Sequence, residues 1–389
     1  MRIAHIADVH LGYRAYTRLT STGLNRREVD VFKAFQSILD IIAERSPDVV
    51  VIAGDLFHTV RPSNFTIHQT YKLFANFRAV SAAPVVIVGG NHDTPKSSDT
   101  GCILDLYASL PGFHVHHHGF NAVSLPDLDA AVYCLPYFAL EEREQYVLKP
   151  VDGHSVNVLA VHGTVQGVVR SRDPEVLQPK PSEFHFDEWD YAAFGHYHVS
   201  TELAPNAYFS GSHEYSSSNI WEECPRLGAS PAAKGFIIYD TVARQAEFID
   251  TPALRFVRDL PVINAVDLSA EEVMGLMAER LGKVPDGLQD KILRVVVEGF
   301  PRQLHKELDW AQLRVWKNEA LHLDVVLRQI AAESSSGGRQ PGGVAKLLEQ
   351  EWADYAGSLV DVPRGVDRQR LTDLGKDYLT RAGESEVTL

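Results

Sequence analysis

The chain has little cysteine. Its 389 residues include three, Cys102, Cys134 and Cys224, which lie far apart with no CxxC pair. This argues against a disulfide framework and a thiolate zinc site, and it fits a reducing compartment. Cys134, inside Ala131-Val132-Tyr133-Cys134-Leu135, reads as a small buried hydrophobe. Long apolar runs are missing too: none approaches the roughly 18 residues of a membrane helix. The N-terminus passes from a single Arg2 into a strand-like run, so no signal peptide and a cytoplasmic location are expected. An excess of positive charge is also absent. The net charge of −14 argues, taken alone, against a nucleic-acid partner, because phosphate binding usually leaves a basic footprint. Bound dications would offset this locally, since their charge sits where a phosphate would.

The rest is ordinary globular composition, 45% hydrophobic and 23% charged, enough for a large core and a smaller second domain. The first half alternates strand-like runs with helical stretches. Residues 29–45 place Val29, Phe32, Phe35, Ile38, Leu39 and Ile42 at helix spacing, and Pro47 stops the helix. Helices are also expected at 64–80 and 100–110. Strand–helix–strand order predicts an α/β layered core. Residues 235–240 and 245–250, joined by Thr241-Val242-Ala243-Arg244, read as an antiparallel hairpin. A boundary is expected near Thr251-Pro252. The division is 1–250 for the main domain, 251–332 for a small α+β accessory domain, 333–343 for a Ser/Gly-rich linker and 344–389 for two amphipathic helices. In the accessory domain, strands are expected at 255–260 and 292–297 and helices at 270–281 and 308–316. The tail helices are too few to build a core and must fold back or dock on a partner.

Seventeen histidines matter mainly through their positions. Five apolar runs each end on polar, metal-type residues: Asp8-Val9-His10, Gly54-Asp55, Gly90-Asn91-His92-Asp93, His162-Gly163 and Gly195-His196-Tyr197-His198. Residues two apart on a strand share a face, so Asp8 and His10 can point at one ion. A carboxylate at Asp55 can bridge two cations, and Asn91 adds a ligand oxygen without charge. His92 and Asp93 read as an acid–orienter pair. Two imidazoles after an apolar strand, His196 and His198, are costly to bury without metal or partners. Each motif alone has a bland reading as a cap, a turn or an incidental histidine. Together they form a thiolate-free donor set that suits Mn²⁺ or Fe²⁺, with Zn²⁺ also compatible, at the carboxyl edge of a sheet.

This ordered set resembles the calcineurin-like metallophosphoesterases. Asp8-Val9-His10-Leu11-Gly12-Tyr13, Gly54-Asp55-Leu56-Phe57-His58, Gly90-Asn91-His92-Asp93-Thr94-Pro95 and the stretch from Arg26-Arg27-Glu28 to Phe35 look like the SbcD-type nuclease subunits of double-strand-break-processing complexes. The resemblance implies a fold with two central mixed β-sheets flanked by helices, a capping domain and C-terminal partner-binding helices. It implies two divalent ions, most readily Mn²⁺. One would be held by Asp8, His10, Asp55 and His198, the other by Asp55, Asn91, His162 and His196. His92 would act on the scissile phosphodiester, Asp93 would orient it, and His58 would help to position DNA. The implied partners are DNA ends, hairpins and single strands, an SbcC-like SMC-type ATPase, and a second copy through helices 64–80 and 100–110. One departure is His213 in Ser210-Gly211-Ser212-His213, where the family often shows proline or a small residue.

The expected reaction is metal-dependent phosphodiester hydrolysis, by exonuclease and endonuclease action on DNA. Alternatives are a phosphoesterase for nucleotides or small phosphodiesters, which the acidic charge favours, and a non-catalytic scaffold, which the intact motifs disfavour. Other features are set aside. His114-x-His116-His117-His118 reads as a loop or edge with adventitious metal affinity, Trp221 as packing, and Arg170-Ser171-Arg172 as either a contact for DNA phosphates or a solvated loop.

Overall fold

The computed structural model describes residues 1–97, 100–151, 153–168, 178–224, 234–328, 352–353, 356 and 367–385. The chain divides into two compact units, Met1–Gln329 and Ile330–Leu389.

The first unit is built around two six-stranded sheets. Strands β1 (Arg2–Ile6), β2 (Val49–Ala53), β3 (Val85–Val88) and β4 (Phe113–His116) run parallel in one sheet. The second sheet takes β5 (Asn121–Leu125), β6 (Ala130–Leu135), β7 (Val156–His162), β8 (Tyr191–Gly195), β9 (Thr201–Ala204) and β10 (Ala207–Phe209). The chain then returns to the first sheet as the hairpin β11 (Gly235–Asp240) and β12 (Gln245–Asp250), with β11 antiparallel to β1. β5 and β9 are antiparallel edges of the second sheet. Both sheets are therefore mixed, with parallel centres.

Strand alternation creates the layers. Ile3, Val49, Val51, Val86 and Val88 pack against Val132, Cys134, Val158, Ala160 and Ala193 of the other sheet. Their neighbours Ala4, Ile6, Val50, Ile52, Val85 and Ile87 pack against helices. A strand buried on both faces reads as an unbroken apolar run, which is why Val49-Val50-Val51-Ile52-Ala53 shows no alternation in sequence. Cys134 lies fully buried between the sheets, and burial raises its thiol pKa. His5 is the polar exception in this layer. Its Nδ1 meets the Tyr191 hydroxyl at 2.8 Å, and burial lowers its pKa to about 3.

Helix α1 (Arg26–Arg45) buries Val31, Phe35, Ile38, Leu39 and Ile42, and α2 (Asn64–Val80) buries Phe74 and Phe77. α1 starts three residues before the apolar pattern does. The Asn25 side chain caps it by accepting from the Arg27 and Glu28 amides. Its first turn is buried through charge rather than hydrophobicity: Arg27 pairs with Asp30 at 3.0 Å and with Glu214 at 3.2 Å, and donates to the Tyr215 carbonyl at 2.7 Å. The helix expected at 100–110 is a 3₁₀ segment, Ile103–Ser109, that buries Leu104 and Tyr107. That i,i+3 pair suits the tighter turn.

The accessory region has its own core of Val273, Met277, Leu281, Leu293, Val295, Val297, Leu313 and Leu323. Strands β13 (Val257–Asp259), β14 (Ile263–Asn264), β15 (Ile292–Glu298) and β16 (His322–Arg328) form a parallel sheet, with β13 and β14 both along one edge of β15. Helices Ala270–Gly282 and Trp310–Glu319 supply the crossovers. A Ser269/Glu272 capping box starts the first. β16 was not anticipated: its His322 and Asp324 dilute the apolar pattern. Polar ties join this region to α1 and the loop before it. Arg255 bonds Asp30, Arg26 meets Asp290 at 2.8 Å, and Arg18 donates to the Lys317, Asn318 and Ala320 carbonyls at a helix end.

In the second unit, helix Arg368–Ser385 receives Trp352, whose indole N–H donates to the Thr372 carbonyl at 3.0 Å. Gly375 makes room, since a Cβ there would lie 2.2 Å from the ring. The expected linker lies outside the described residues, as does most of 344–356. Among the described residues, no helix is long and apolar enough to cross a membrane.

Removing Arg27 would leave Glu214 buried with its carboxylate facing only amide donors. Arg27→Met is expected to destabilise the protein by about 3–5 kcal/mol, read as a lower midpoint in urea with an unchanged slope.

Candidate metal centre

The site lies where the carboxyl ends of both sheets meet. The loops leaving β1 and β2 stay zipped together: the Asp8 amide donates to the Gly54 carbonyl at 3.2 Å, and the His10 amide to the Asp55 carbonyl at 2.9 Å. Strand pleating does not aim Asp8 and His10, because β1 ends at Ile6. Both residues instead sit at positive φ, 52° and 51°, as do Asp55 at 52° and His196 at 102°. A left-handed backbone at non-glycine residues costs of order 1–3 kcal/mol each, and it clusters here at the candidate ligands. Two glycines permit the crowding. A Cβ on Gly54 would lie 2.0 Å from His162 Nδ1, and one on Gly90 would lie 2.1 Å from Asp55 Oδ1.

All seven expected metal-site residues converge. His10 Nε2 faces His198 Nε2 at 3.1 Å and Asp55 Oδ2 at 3.7 Å. His162 Nε2 lies 3.3 Å from the same Asp55 oxygen and 3.1 Å from Asn91 Oδ1, which also meets His196 Nδ1 at 3.0 Å. Asp8, His10 and His198 form one compact donor group, Asp8, Asp55 and His162 another, and His10, His58 and His92 a third. Asp8 is common to the first two groups, and Asp55 Oδ2 faces His10 of the first as well as His162 of the second. Asp8 accepts the His196 amide at 2.9 Å.

The far ring nitrogens explain the orientation. His162 Nδ1 faces the Ala53 carbonyl at 2.9 Å, and His198 Nδ1 faces a Glu223 carboxylate oxygen at 3.1 Å. Neither partner can donate, so each neutral imidazole carries its proton on Nδ1 and turns a lone pair inward. His10 Nδ1 lies 3.4 Å from His58 Nδ1. Lone pairs and carboxylate oxygens thus point at one another, an arrangement that fits a divalent cation.

Without metal, protons take up part of this role. Burial disfavours the charged forms of both Asp55 and His162, but their mutual attraction prevails: His162 rises to about 9, and His162 with His10 holds Asp55 well below the usual carboxylate range. Burial raises the pKa of Asp8 and lowers those of His10 and His196, the last to about 3 with help from His162. Metal and proton therefore compete for His162.

His92 is differently placed. Its amide donates to Asp55 Oδ1 at 2.9 Å, which anchors the loop, while its ring Nδ1 faces the His58 carbonyl at 3.0 Å. The ring stacks at 23° on His58 and stands edge-on to His10. The expected Asp93–His92 orienting contact is not formed. The Asp93 carboxylate turns inward and accepts the Leu56 amide at 2.7 Å and the Gly90 amide at 2.8 Å. It is fully buried, and burial, then Asp55, pushes its pKa up to about 7. Asp93 ties two loops together, and the His58 carbonyl orients His92 in its place.

Sequence reading missed Glu223, Lys234 and Tyr137. Glu223 lies on a one-turn helix, Ile220–Glu223, with no periodic or motif signal. Tyr137 follows β6, a sixth apolar strand ending, and its ring lies 5.6 Å from that of His196. His213 is buried elsewhere, its Nε2 3.3 Å from the Val31 carbonyl. His117 pairs with Asp105 at 2.7 Å, and the 114–118 histidines form no metal-type group among the described residues. Trp221 packs beneath the Arg294 guanidinium, 4.7 Å from its ring. Arg170 and Arg172 lie outside the described residues.

Asp55→Ala is expected to abolish high-affinity binding of divalent metal, because His10 and His162 lose the carboxylate oxygen that both face. Elemental analysis after gel filtration measures this, and metal retained at the parental level would contradict the geometry.

The profile of the calcineurin-like phosphoesterase family matches residues 1–200. Similar curated proteins carry the name DNA double-strand break repair protein Mre11. The Methanococcus maripaludis protein is 26% identical over 298 residues, 72% of this chain and 75% of that one. The Aeropyrum pernix protein is 35% identical over 158 residues, covering 38% of this chain and 36% of its own length. The Methanocaldococcus jannaschii protein is 27% identical over 260 residues, 64% of this chain and 65% of that one. With this profile over half the sequence and a donor set that fits divalent metal, the chain belongs to the calcineurin-like phosphoesterase family, a metal-dependent phosphoesterase akin to the Mre11 proteins.

Proposed function

We propose that the protein is a DNA nuclease that processes double-strand breaks with two Mn²⁺ ions, acting as exonuclease and endonuclease. The observation that carries this reading is the division of labour among the imidazoles. Ring nitrogens of His10, His162, His196 and His198 face Asp55, Asn91 or one another, while His92, which borders His10 and His58 in a further donor group, has its Nδ1 held by the His58 carbonyl. The names of the Mre11 relatives support the choice of DNA as substrate.

Ions bound there would polarise the phosphate oxygens and acidify a water. Asp8, His10, Asp55 and His198 would hold one, and Asp55, Asn91, His162 and His196 the other. With its Nδ1 proton on the His58 carbonyl, His92 would act through Nε2, giving the departing 3′ oxygen the second proton that the imidazolium form carries there. His58 sets that geometry through its carbonyl and its stacked ring. Asp93 supports both by fixing the loop.

The partners are proposals of the same kind. α2 buries few residues and exposes Tyr71 and Val80, and Leu106 is exposed in the second segment, which supports pairing of two copies through 64–80 and 100–110. Leu374 and Tyr378 are exposed on the tail helix, which supports docking of an SbcC-like ATPase coiled coil. A cytoplasmic, nucleoid-associated location accompanies this reading. The acidic net charge of −14 favours one alternative, a small phosphodiester as substrate.

A Mn²⁺-dependent assay on linear duplex, hairpin and single-stranded DNA beside a generic phosphodiester separates the two. Preferred cleavage of DNA is expected, and hydrolysis of the small ester alone would select the alternative. His92→Ala should retain its metal yet lose turnover by roughly 10²–10⁴-fold. Deleting residues 344–389 should abolish capture by the ATPase while sparing nuclease activity, and an unaffected pull-down would remove the tail from the interface.

A further inference from the structure

Each imidazole aimed into the donor cluster through Nε2 has a holder on its far nitrogen, and the holders differ in kind. His162 leans on a main-chain carbonyl, His10 on the neutral ring of His58, and His198 on the carboxylate of Glu223. Glu223 is itself gripped. Its second oxygen accepts from the Lys234 ammonium, and that same ammonium donates to the His198 carbonyl at 2.9 Å and to the Ser212 hydroxyl at 2.8 Å. Glu223 is 6% exposed and Lys234 is 1% exposed.

His198 is therefore fixed twice, at its ring through Glu223 and at its backbone through Lys234. An ion pair with this little solvent gains little net stability, because desolvating both charges costs about as much as their attraction returns. What it supplies is geometry. The helix that carries Glu223 is braced in turn: Ile220 and Cys224 pack against Ile292 and Leu321 of the accessory region, and Trp221 lies under Arg294. The accessory region thereby reaches a candidate metal ligand through one short helix.

We propose that Glu223, clamped by Lys234, is a positioning residue that sets the affinity of the ion held by Asp8, His10 and His198, and not that of its neighbour. The inference rests on the dinuclear reading of the site. Carboxylates behind metal-bound imidazoles typically change metal affinity by about 10- to 100-fold.

The test is a Mn²⁺ titration by calorimetry, with thermal melting followed by circular dichroism, on the full chain and two variants. Glu223→Leu/Lys234→Met removes both charges together and so strands neither. Glu223→Asp keeps the charge and its pairing with Lys234 but withdraws the carboxylate from His198. The parent should bind two ions. Each variant should melt close to the parent and bind one ion as the parent does and the other roughly 10- to 100-fold more weakly. Parental affinity at both sites in either folded variant would overturn the proposal. Equal weakening at both sites would overturn its assignment to one ion. A parent that binds no Mn²⁺ would instead remove the dinuclear reading, and this inference with it.

Discussion

The arrangement depends on one desolvated carboxylate. Asp55 is almost fully buried among imidazoles, at the seam between two sheets, and it has no apolar substitute. Its Oδ1 receives the His92 amide, and its Oδ2 faces His10 and His162. A charge that deep is tolerable only if positive charge or donors surround it. The neighbouring loops are shaped to provide this. The glycines before Asp55 and before Asn91 are empty where a side chain would collide with the cluster, and Asp93 turns away from the site to fasten the loop that carries His92. Attraction between His162 and this carboxylate offsets part of its burial, and a divalent cation there would do the same.

Much of the scaffold was legible because burial leaves plain marks. The runs at Val49-Val50-Val51-Ile52-Ala53 and Val85-Val86-Ile87-Val88 are apolar on both faces, as central parallel strands must be. The hairpin at 235–250 and the helix at 64–80 match the structure residue for residue. Less visible was anything buried by pairing rather than by hydrophobicity. The first turn of α1 is held by Arg27, Asp30 and Glu214, so its start does not register as an apolar stripe. β16 carries His322 and Asp324, and the 3₁₀ segment at Ile103–Ser109 lacks the period of an α-helix.

The same contrast holds in the site. Ligand-type residues were legible because each ends an apolar strand. Their roles toward one another were less so. Adjacency in Asn91-His92-Asp93 suggested that Asp93 orients His92, but neighbours in a tight turn point apart, and a carbonyl 34 positions upstream does the work. Glu223 and Lys234 had no signature, since their significance comes only from what the fold places behind His198.

The left-handed backbone at Asp8, His10 and Asp55 carries a consequence for how such a site persists. These are conformations that glycine adopts without strain, so a glycine at any of them would relieve the backbone while deleting a ligand-type side chain. Chain stability and the site pull in opposite directions at these positions. Random change filtered only for a well-folded product would erode the centre first and leave the two-sheet scaffold standing. An intact set of residues at these strained positions is therefore a record of selection on chemistry, written in the backbone angles as well as in the side chains.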